Sequence, residues 1–288
     1  MEQPASHAIE SVLRNALAED LGAAGDITSA AIIDQNTMIE ASIVARGDGV
    51  VAGLSLSLRA FAMVDATITT VAVETDGSIV GSGAALATVA GPALGVLGAE
   101  RTCLNMLGHL SGIATATRQV VDSVAHTGAS VVDTRKTTPG LRALEKYAVR
   151  AGGGRNHRFG LFDAVLIKDN HLDAAGGIAQ AVAAARAASG HTVKVEVEVE
   201  DLPGLDAAIE AGADAVLLDN MTVDEMAEAV TRTRGRLILE ASGGITPTTA
   251  VAAAESGVDV ISLGWLTHSA PNWDVAMDID RTYRSPEH

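Results

Sequence analysis

Basic side chains are concentrated in one part of an otherwise acidic chain. The window from Arg135 to Lys168 holds eight Lys or Arg residues and two acidic ones, a net +6, whereas the 288-residue chain carries −16. Arg135, Lys136, Arg158 and Lys168 flank apolar segments, unlike residues on a solvated helix face, and His157 adds a potentially cationic group. Arginine binds carboxylates through paired, charge-assisted hydrogen bonds. The window therefore predicts a site for a small anion that could carry two carboxylates.

Three other basic residues of this window have a simpler interpretation. Arg142, Lys146 and Arg150 are four residues apart, which is the spacing of one exposed helix face. The sequence therefore predicts that these three side chains are solvated.

Acidic side chains at the ends of two predicted strands could hold a divalent cation. Glu198 and Asp219 end two apolar segments, and neighbouring strands lie about 4.8 Å apart. Mg²⁺ prefers a few carboxylate oxygens together with phosphate oxygens of a substrate. Glu196 and Glu200 alternate with valines and share the strand face of Glu198. For Glu196 an internal ion pair is the preferred interpretation, but the pattern leaves open whether Glu196 or Glu198 faces the metal.

Glycine-rich turns follow the last two apolar segments. Ser242-Gly243-Gly244 precedes a helix expected to begin near Pro247, and Gly264 directly follows the final segment. Glycine lets backbone N–H groups approach an anion, and a helix N-terminus adds positive potential. The loops after the final strands of β/α barrels recurrently bind phosphate. These turns predict a phosphate cradle.

The elements that must position these residues are six apolar segments that alternate with helices. Strands are expected at 129–133, 163–168, 193–199, 214–219, 236–240 and 258–263, and helices near 140–151, 176–189, 203–211, 222–233 and 247–256. Nearly continuous apolar strands of this kind are typical of a parallel sheet covered on both faces. Each strand ends in charged or glycine-rich residues, as at the mouth of a β/α barrel. The fold class is therefore predicted to be α/β, with a full or partial barrel.

The first part of the chain has a different, strand-rich α+β pattern. An amphipathic helix is expected at 7–21, strands at 38–46, 50–53, 67–73 and 85–90, and a helix near 54–63. Residues 95–126 predict one or two long helices with a break near Ser111-Gly112.

Composition narrows the class of protein further. Cys103 is the only cysteine, so neither a disulfide framework nor a cysteine metal site is expected. The net charge of −16 argues against nucleic-acid binding. The uncharged stretch 77–99 contains many glycines and Pro92 and predicts strands and turns instead of a membrane span. The N-terminus lacks the pattern of a signal peptide, so we expect a cytoplasmic protein.

Several long motifs resemble the quinolinate phosphoribosyltransferase family. They are ALAEDLGAAGDITS, GVVAG, ERTCLNMLGHLSGIAT, DTRKTTPGLRALEKYAVRAGGGRNHRFGLFDAVLIKDNH, VEVEVE, LLDNM and EASGGI, in order between about residues 15 and 278. The resemblance implies an N-terminal α/β sandwich domain at 1–112, completed by the tail 270–288. It also implies an open, incomplete β/α barrel at 113–269.

The resemblance also implies an activity and a role for each site residue. The reaction would join quinolinate to phosphoribosyl pyrophosphate and release pyrophosphate and CO2, giving nicotinate mononucleotide for NAD biosynthesis. By this likeness the chain forms a homodimer in which each active site is shared between subunits, and Mg²⁺ is the cofactor. The implied residues are Arg101 reaching into the partner's site; Arg135, Arg158 and Lys168, with His157 nearby, for the quinolinate carboxylates; Lys136, Glu198 and Asp219 for ribose, pyrophosphate and Mg²⁺; Ser242, Gly243 and Gly264 for the 5-phosphate; and Thr134 and Gly244 as further substrate contacts.

Three other functions remain open at this point. A sister phosphoribosyltransferase, such as the relative found beside molybdenum transport genes, would share the phosphate cradle but differ in its carboxylate-binding arginines. A non-catalytic barrel that senses a nucleotide would need the phosphate loops but not Glu198 and Asp219 beside Lys136. A lyase or isomerase would need Lys168 as a desolvated, imine-forming amine.

Overall fold

Two units make up the part of the chain that the computed structural model describes, which is residues 3–284. The first unit contains residues 3–118, 138–153 and 270–284, and the second contains 119–137 and 154–269. Segment 138–153, inside the predicted barrel range 113–269, thus lies in the first unit. The predicted ranges 1–112 and 270–288 include residues 1, 2 and 285–288, which lie outside the described residues.

The first unit combines helices with a small antiparallel sheet. Its elements are α1 Ser6–Leu21, α2 Ile27–Ile32, β1 Thr37–Ala45, β2 Gly49–Val50, α3 Leu54–Val64, β3 Thr69–Ala72, β4 Ile79–Val80, β5 Ala85–Pro92, α4 Ala93–Ser123, α5 Arg142–Ala151 and β12 Val275–Arg284, where α4 continues past residue 118 into the second unit. A four-stranded sheet has the order β12-β1-β5-β3, and all its pairs are antiparallel. Strand β12, near the chain end, therefore completes a sheet whose other strands come from the first 92 residues.

Helix α4 runs without interruption, so the predicted break near Ser111-Gly112 is wrong. The small residues there allow close packing. Buried Ser111 Oγ accepts the N–H of Ala52 at 3.0 Å, and a Cβ at Gly112 would clash with the carbonyl oxygen of Pro271. Gly108 is similarly close to the backbone of Trp273. Glycine and serine therefore mark the helix face against which two backbone segments pack.

Helix α5 departs from the prediction that its basic residues are solvated. Lys146 is fully buried, as is its neighbour Glu145. Glu145 lies 2.9 Å from His109 Nε2 and accepts the N–H of Thr138 at 3.0 Å. A four-residue spacing fixes a shared helix face but does not say whether that face meets solvent or protein.

The second unit alternates strands with helices, as predicted. Its elements are β6 Ser130–Val132, β7 Val165–Ile167, α6 Asp169–Ala175, α7 Ile178–Ala188, β8 Val195–Val199, α8 Leu202–Glu210, β9 Ala215–Asp219, α9 Val223–Thr233, β10 Ile238–Ser242, α10 Ala250–Glu255, β11 Val260–Ser262 and α11 Trp265–His268. Helices α6 and α11 were not predicted. The valines of β8 are buried while its glutamates are half-buried, which gives the predicted alternation.

The six strands of this unit form one parallel sheet with an open seam. Their order is β6-β11-β10-β9-β8-β7, so a closed barrel would require β6 to pair with β7. Among residues 3–284 no strand pairing joins these two edges. The free edge of β6 instead forms a single bridge to Arg155, whose N–H donates to Val131 O at 2.8 Å. This is the predicted incomplete barrel.

No helix within residues 3–284 combines the length and the apolar character needed to cross a membrane.

The packing at Gly112 predicts a specific stability change. Gly112→Ala should destabilise the protein by about 1–3 kcal/mol, because the added methyl group meets the Pro271 backbone and not a flexible side chain. Gly98→Ala on the same helix is the matched control, since its Cβ would make only an ordinary contact with Leu21. Replacing glycine by alanine in a helix interior otherwise stabilises by up to about 1 kcal/mol. Urea unfolding of both variants measures the difference; equal stabilisation by both would contradict this packing.

Candidate active site

A cavity of about 500 Å³ opens in the second unit, lined by side chains from the carboxyl-terminal strand ends and the loops beyond them. The structure brings twelve of the thirteen predicted site residues to its wall: Thr134, Arg135, Lys136, His157, Arg158, Lys168, Glu198, Asp219, Ser242, Gly243, Gly244 and Gly264. Residues that are far apart in the chain thus meet at one place because their strands are parallel.

Arg101 is the predicted site residue that does not line this cavity. It lies on α4 in the first unit, and its side chain is 63% exposed and 3.9 Å from Glu100. The described chain therefore presents Arg101 as an exposed cation.

Strand register arranges the wall of the cavity in rows. Asp219 pairs with Ser242, and both line the cavity, as does Ser262 of the next strand. Two residues deeper, Leu217 is in register with Glu198 on one side and Glu240 on the other. Because alternate residues of a strand face the same way, acidic and hydroxyl groups occupy successive rows of one interior surface.

Lys168 and Glu198 form an ion pair on the wall. Lys168 is the N-cap of α6, where its backbone N–H donates to Nδ1 of His171 at 2.9 Å. The Glu198 side chain is only 11% exposed. A cation next to a poorly solvated carboxylate offsets the cost of burying that charge.

The loop before β7 is anchored by a buried aspartate. Asp133 accepts the backbone N–H of His157 at 2.9 Å and a hydrogen bond from the Asn156 side chain, and it is fully buried. Arg158 donates to the carbonyl oxygen of Ala164 at 3.2 Å. These bonds fix the direction in which His157 and Arg158 enter the cavity.

Both ring nitrogens of His157 are engaged by protein groups. Nδ1 accepts the N–H of Arg158 at 2.7 Å, which places the proton of the neutral ring on Nε2. Nε2 lies 3.3 Å from Glu196 Oε2 and 3.5 Å from Glu240 Oε2. The ring is therefore oriented so that Nε2 is directed at two carboxylates.

Glu240 is a cavity residue that sequence reasoning missed. It is 5% exposed, and its burial, followed by the charge of Glu196, raises its pKa from 4.5 to about 7, whereas His157 and Ser262 act in the opposite direction. The available signal was its spacing, since Glu240 is two residues before Ser242 and so shares its strand face. Trp265 and His268 also line the cavity and were missed because the sequence did not predict α11.

Two guanidinium groups are crowded at one side of the cavity. Burial, and then the nearby charge of Arg135, lower the pKa of Arg158, while Glu196 and Asp163 act in the opposite direction. Repulsion between two cations is relieved when an anion binds between them. The pair is therefore suited to a ligand with carboxylate groups.

Glycine at position 264 makes room for the loop that carries Lys136. Gly264 has helical backbone geometry, but a Cβ there would lie 2.9 Å from Lys136 Cδ and 3.2 Å from Thr134 Oγ1. Thr134 Oγ1 accepts the Lys136 N–H at 3.0 Å, and Thr267 Oγ1 donates to the Lys136 carbonyl at 2.8 Å. The backbone of Lys136 is thus fixed through both its N–H and its carbonyl group.

The turn after β10 has two consecutive left-handed glycines, Gly243 at φ +82° and Gly244 at φ +61°. A side chain at Gly243 would also clash with Asn220. The next helix was predicted to begin near Pro247 but begins at Ala250, because Thr246 to Thr249 form a turn in which Thr249 Oγ1 accepts the Thr246 N–H at 3.0 Å. The predicted phosphate cradle therefore corresponds to a turn of glycine backbone that is followed by a six-residue helix.

Carboxylate oxygens on the cavity wall suit a hard cation. Glu198 and Asp219 both line the cavity from neighbouring strands, and oxygen ligands of this kind fit Mg²⁺. His157, Glu196 and Glu240 also place ligand-type atoms within 4.8 Å of one another. That second group fits Mg²⁺ poorly, since its histidine presents an N–H to the carboxylates.

Comparisons with known proteins agree over nearly the whole chain. Residues 113–278 match the family model for the C-terminal domain of quinolinate phosphoribosyl transferase, and residues 26–111 match the model for its N-terminal domain. The chain is 43% identical over 279 residues to a probable nicotinate-nucleotide pyrophosphorylase (carboxylating) of Bacillus subtilis, covering 97% of this chain and 96% of that protein. It is 45% identical over 278 residues to the nicotinate-nucleotide pyrophosphorylase (carboxylating) of Mycobacterium leprae, covering 94% and 97%.

Solved structures show the same architecture. The nicotinate-nucleotide pyrophosphorylase of Francisella tularensis matches with a TM-score of 0.92 and 38% identity, over 97% of this chain and all of that one. A structure from Streptococcus pyogenes matches with a TM-score of 0.92 and 39% identity, over 99% and 100%.

Proposed function

The chain belongs to the quinolinate phosphoribosyltransferase family, and we propose that it converts quinolinate and phosphoribosyl pyrophosphate to nicotinate mononucleotide, pyrophosphate and CO2. One observation carries the proposal. A single cavity joins Arg135, Arg158 and Lys168 to the glycine turn at 243–244. Such a cavity offers cations to a dicarboxylate beside backbone groups for a phosphate.

Quinolinate is the substrate that the cationic side of the cavity fits. Its two adjacent carboxylates would bind the crowded pair Arg135 and Arg158, and binding would relieve the repulsion between them. Lys168 would add a third cationic contact to the quinolinate carboxylates while it remains paired with Glu198. An imine-forming role for Lys168 is disfavoured, because that role needs a desolvated amine, whereas the Lys168 side chain is 44% exposed and paired with Glu198.

The rest of the cavity would hold phosphoribosyl pyrophosphate. Gly243, Gly244 and Ser242 would take the 5-phosphate, and Gly264 would leave Lys136 room to reach the pyrophosphate. The walls would align the pyridine nitrogen with the ribose carbon, and alignment alone can lower a bimolecular barrier by about 7–11 kcal/mol.

Mg²⁺ would be held by Glu198 and Asp219, which are cavity-wall carboxylates on neighbouring strands. Glu196 is the weaker candidate because it lies against His157. When bound, Mg²⁺ neutralises charge on the pyrophosphate group.

The protein's own residues support a two-stage reaction. Lys136 offsets negative charge on the departing pyrophosphate, while Glu198 and Asp219 offset the positive charge that develops on the ribose carbon. The pyridine nitrogen attacks that carbon and becomes cationic. Its charge then stabilises the electron pair left at ring carbon 2 when the adjacent carboxylate departs as CO2. The cavity positions the two anions and excludes water, and the electron pair on carbon 2 must then take up a proton.

The assay that tests this function combines the protein with Mg²⁺, phosphoribosyl pyrophosphate, and either quinolinate or nicotinate. We expect nicotinate mononucleotide and CO2 to form together from quinolinate, with little product from nicotinate, because the cationic side of the cavity is suited to two carboxylates. Binding of phosphoribosyl pyrophosphate without turnover of quinolinate would instead indicate a sister transferase or a sensor.

Arg135→Ala should weaken the binding of quinolinate but not that of phosphoribosyl pyrophosphate. Loss of a charge-assisted contact costs about 1.5–3 kcal/mol, so the Kd for quinolinate should rise about 10-fold to 100-fold, whereas the Kd for phosphoribosyl pyrophosphate should change little. Arg186→Ala is the matched control, since Arg186 pairs with Asp214 and Gly212 outside the cavity. Titration calorimetry measures both constants, and equal losses for the two substrates would contradict the assignment.

Arg101 fits a homodimer in which each cavity is completed by the other subunit, as family membership suggests. Its exposed side chain supports this part of the proposal. Co-expressing Arg101→Ala with Lys136→Ala should restore activity that each variant lacks alone, because one site of the mixed dimer would then have both residues. No restoration in purified mixed dimers would place Arg101 and Lys136 of one chain in the same site.

A further inference from the structure

Glu240 occupies a position in the cavity that the reaction described above does not use. It lies on β10 one row deeper than Ser242 of the glycine turn, in register with Leu217 and Val260 of the neighbouring strands. Its Oε1 atom is buried and accepts no hydrogen bond from any residue in the described range. A buried, ionised carboxylate oxygen without a donor is costly, and a protonated carboxyl in the same place costs less.

The groups around Glu240 favour its neutral form. The facing titratable groups are Glu196 on β8 and His157 on the loop before β7, and β9 and β11 present Leu217 and Ser262. His157 opposes this effect, since its charge favours the carboxylate form of Glu240, but it is outweighed by burial and by Glu196. Burial and Glu196 raise the pKa of Glu240 to about 7. Glu196 is also near Arg158, which leaves Glu240 as the member that carries a proton.

The proposed reaction requires a proton at one defined atom. When the bond from ring carbon 2 to its carboxylate breaks, CO2 leaves and the electron pair stays on carbon 2, where a C–H bond must form. His157, 3.5 Å from Glu240, adjoins the arginine that would hold a quinolinate carboxylate.

Resting on the proposed function, we propose that Glu240 is the acid that protonates ring carbon 2 after CO2 leaves. The O–H bond of Glu240 breaks as the C–H bond forms, and solvent returns one proton to the carboxylate in each turnover. Lys168 is a poorer donor because its ammonium group is bound by Glu198. A neutral Glu240 also adds no repulsion against a substrate dianion.

Glu240→Gln tests the proposal by separating the two stages of the reaction. Glutamine keeps the shape but cannot supply the proton, so in a single turnover pyrophosphate should appear before CO2, and CO2 formation should slow about 100-fold. Without the donor the carbanion recaptures CO2, and quenched samples should contain the carboxylated mononucleotide. A merely structural role would slow both products equally and leave no such intermediate.

Controls keep this test apart from the test of overall function. Glu228→Gln alters an exposed carboxylate that pairs with Arg232 on α9, and it should behave as wild type. Wild-type protein that makes no product from quinolinate would overturn the proposed function itself. A variant that releases CO2 and pyrophosphate together at the wild-type rate would overturn only the role of Glu240.

The unmodified enzyme supplies a second measurement should Glu240→Gln fail to fold. Above pH 7 Glu240 loses its proton, so CO2 should increasingly lag behind pyrophosphate as the pH rises, and the lag should vanish below pH 6. Rapid-quench runs from pH 6 to 9 follow both products. Simultaneous release across the whole range would overturn the proposal.

Discussion

The parallel register of the second unit is the constraint on which the site depends. Side chains from Lys168, Glu198, Asp219 and Ser242 meet only because their strands end at the same edge. The register also brings like charges together in a poorly solvated place. Close contacts between basic and acidic groups offset this crowding, as between Lys168 and Glu198 and between His157 and two glutamates. The geometry of the sheet thus determines the electrostatics of the cavity.

Much of this arrangement was predictable because strand residues alternate with period two. The valines of β8 are buried, so the glutamates between them had to face the other way. The two glycines after β10 likewise predicted a turn. Both have the left-handed backbone conformation, which other residues adopt only with strain. The family resemblance around Arg135 and Arg158 predicted a role for these side chains, which periodicity alone does not indicate. The sequence therefore predicted which residues near the strand ends would line one cavity.

What the sequence could not supply were properties set by distant partners. The Ser111-Gly112 pair suggests a break in a helix, yet it serves close backbone packing against residues far along the chain. Lys146 has the spacing of a surface residue but is buried. Glu240 was missed because its raised pKa arises from burial and then from the charge of Glu196, 44 positions earlier, and neither is visible in the local sequence. Local sequence patterns indicate which residues share one face of a helix or strand. Only the folded structure shows whether that face packs against protein or faces solvent.

The seam between β6 and β7 has a mechanical consequence. A closed barrel has a circumference set by its strand number and shear. Here, among residues 3–284, β6 is tied to the segment before β7 by the Val132–Arg155 bridge and by the hydrogen bonds of Asp133, and no strand ladder joins the two edges. The width of the mouth therefore depends on these few bonds and not on a closed ring of strand pairs. A sheet with such a seam can admit and release bulky, highly charged reactants and products without breaking the pairing between strands.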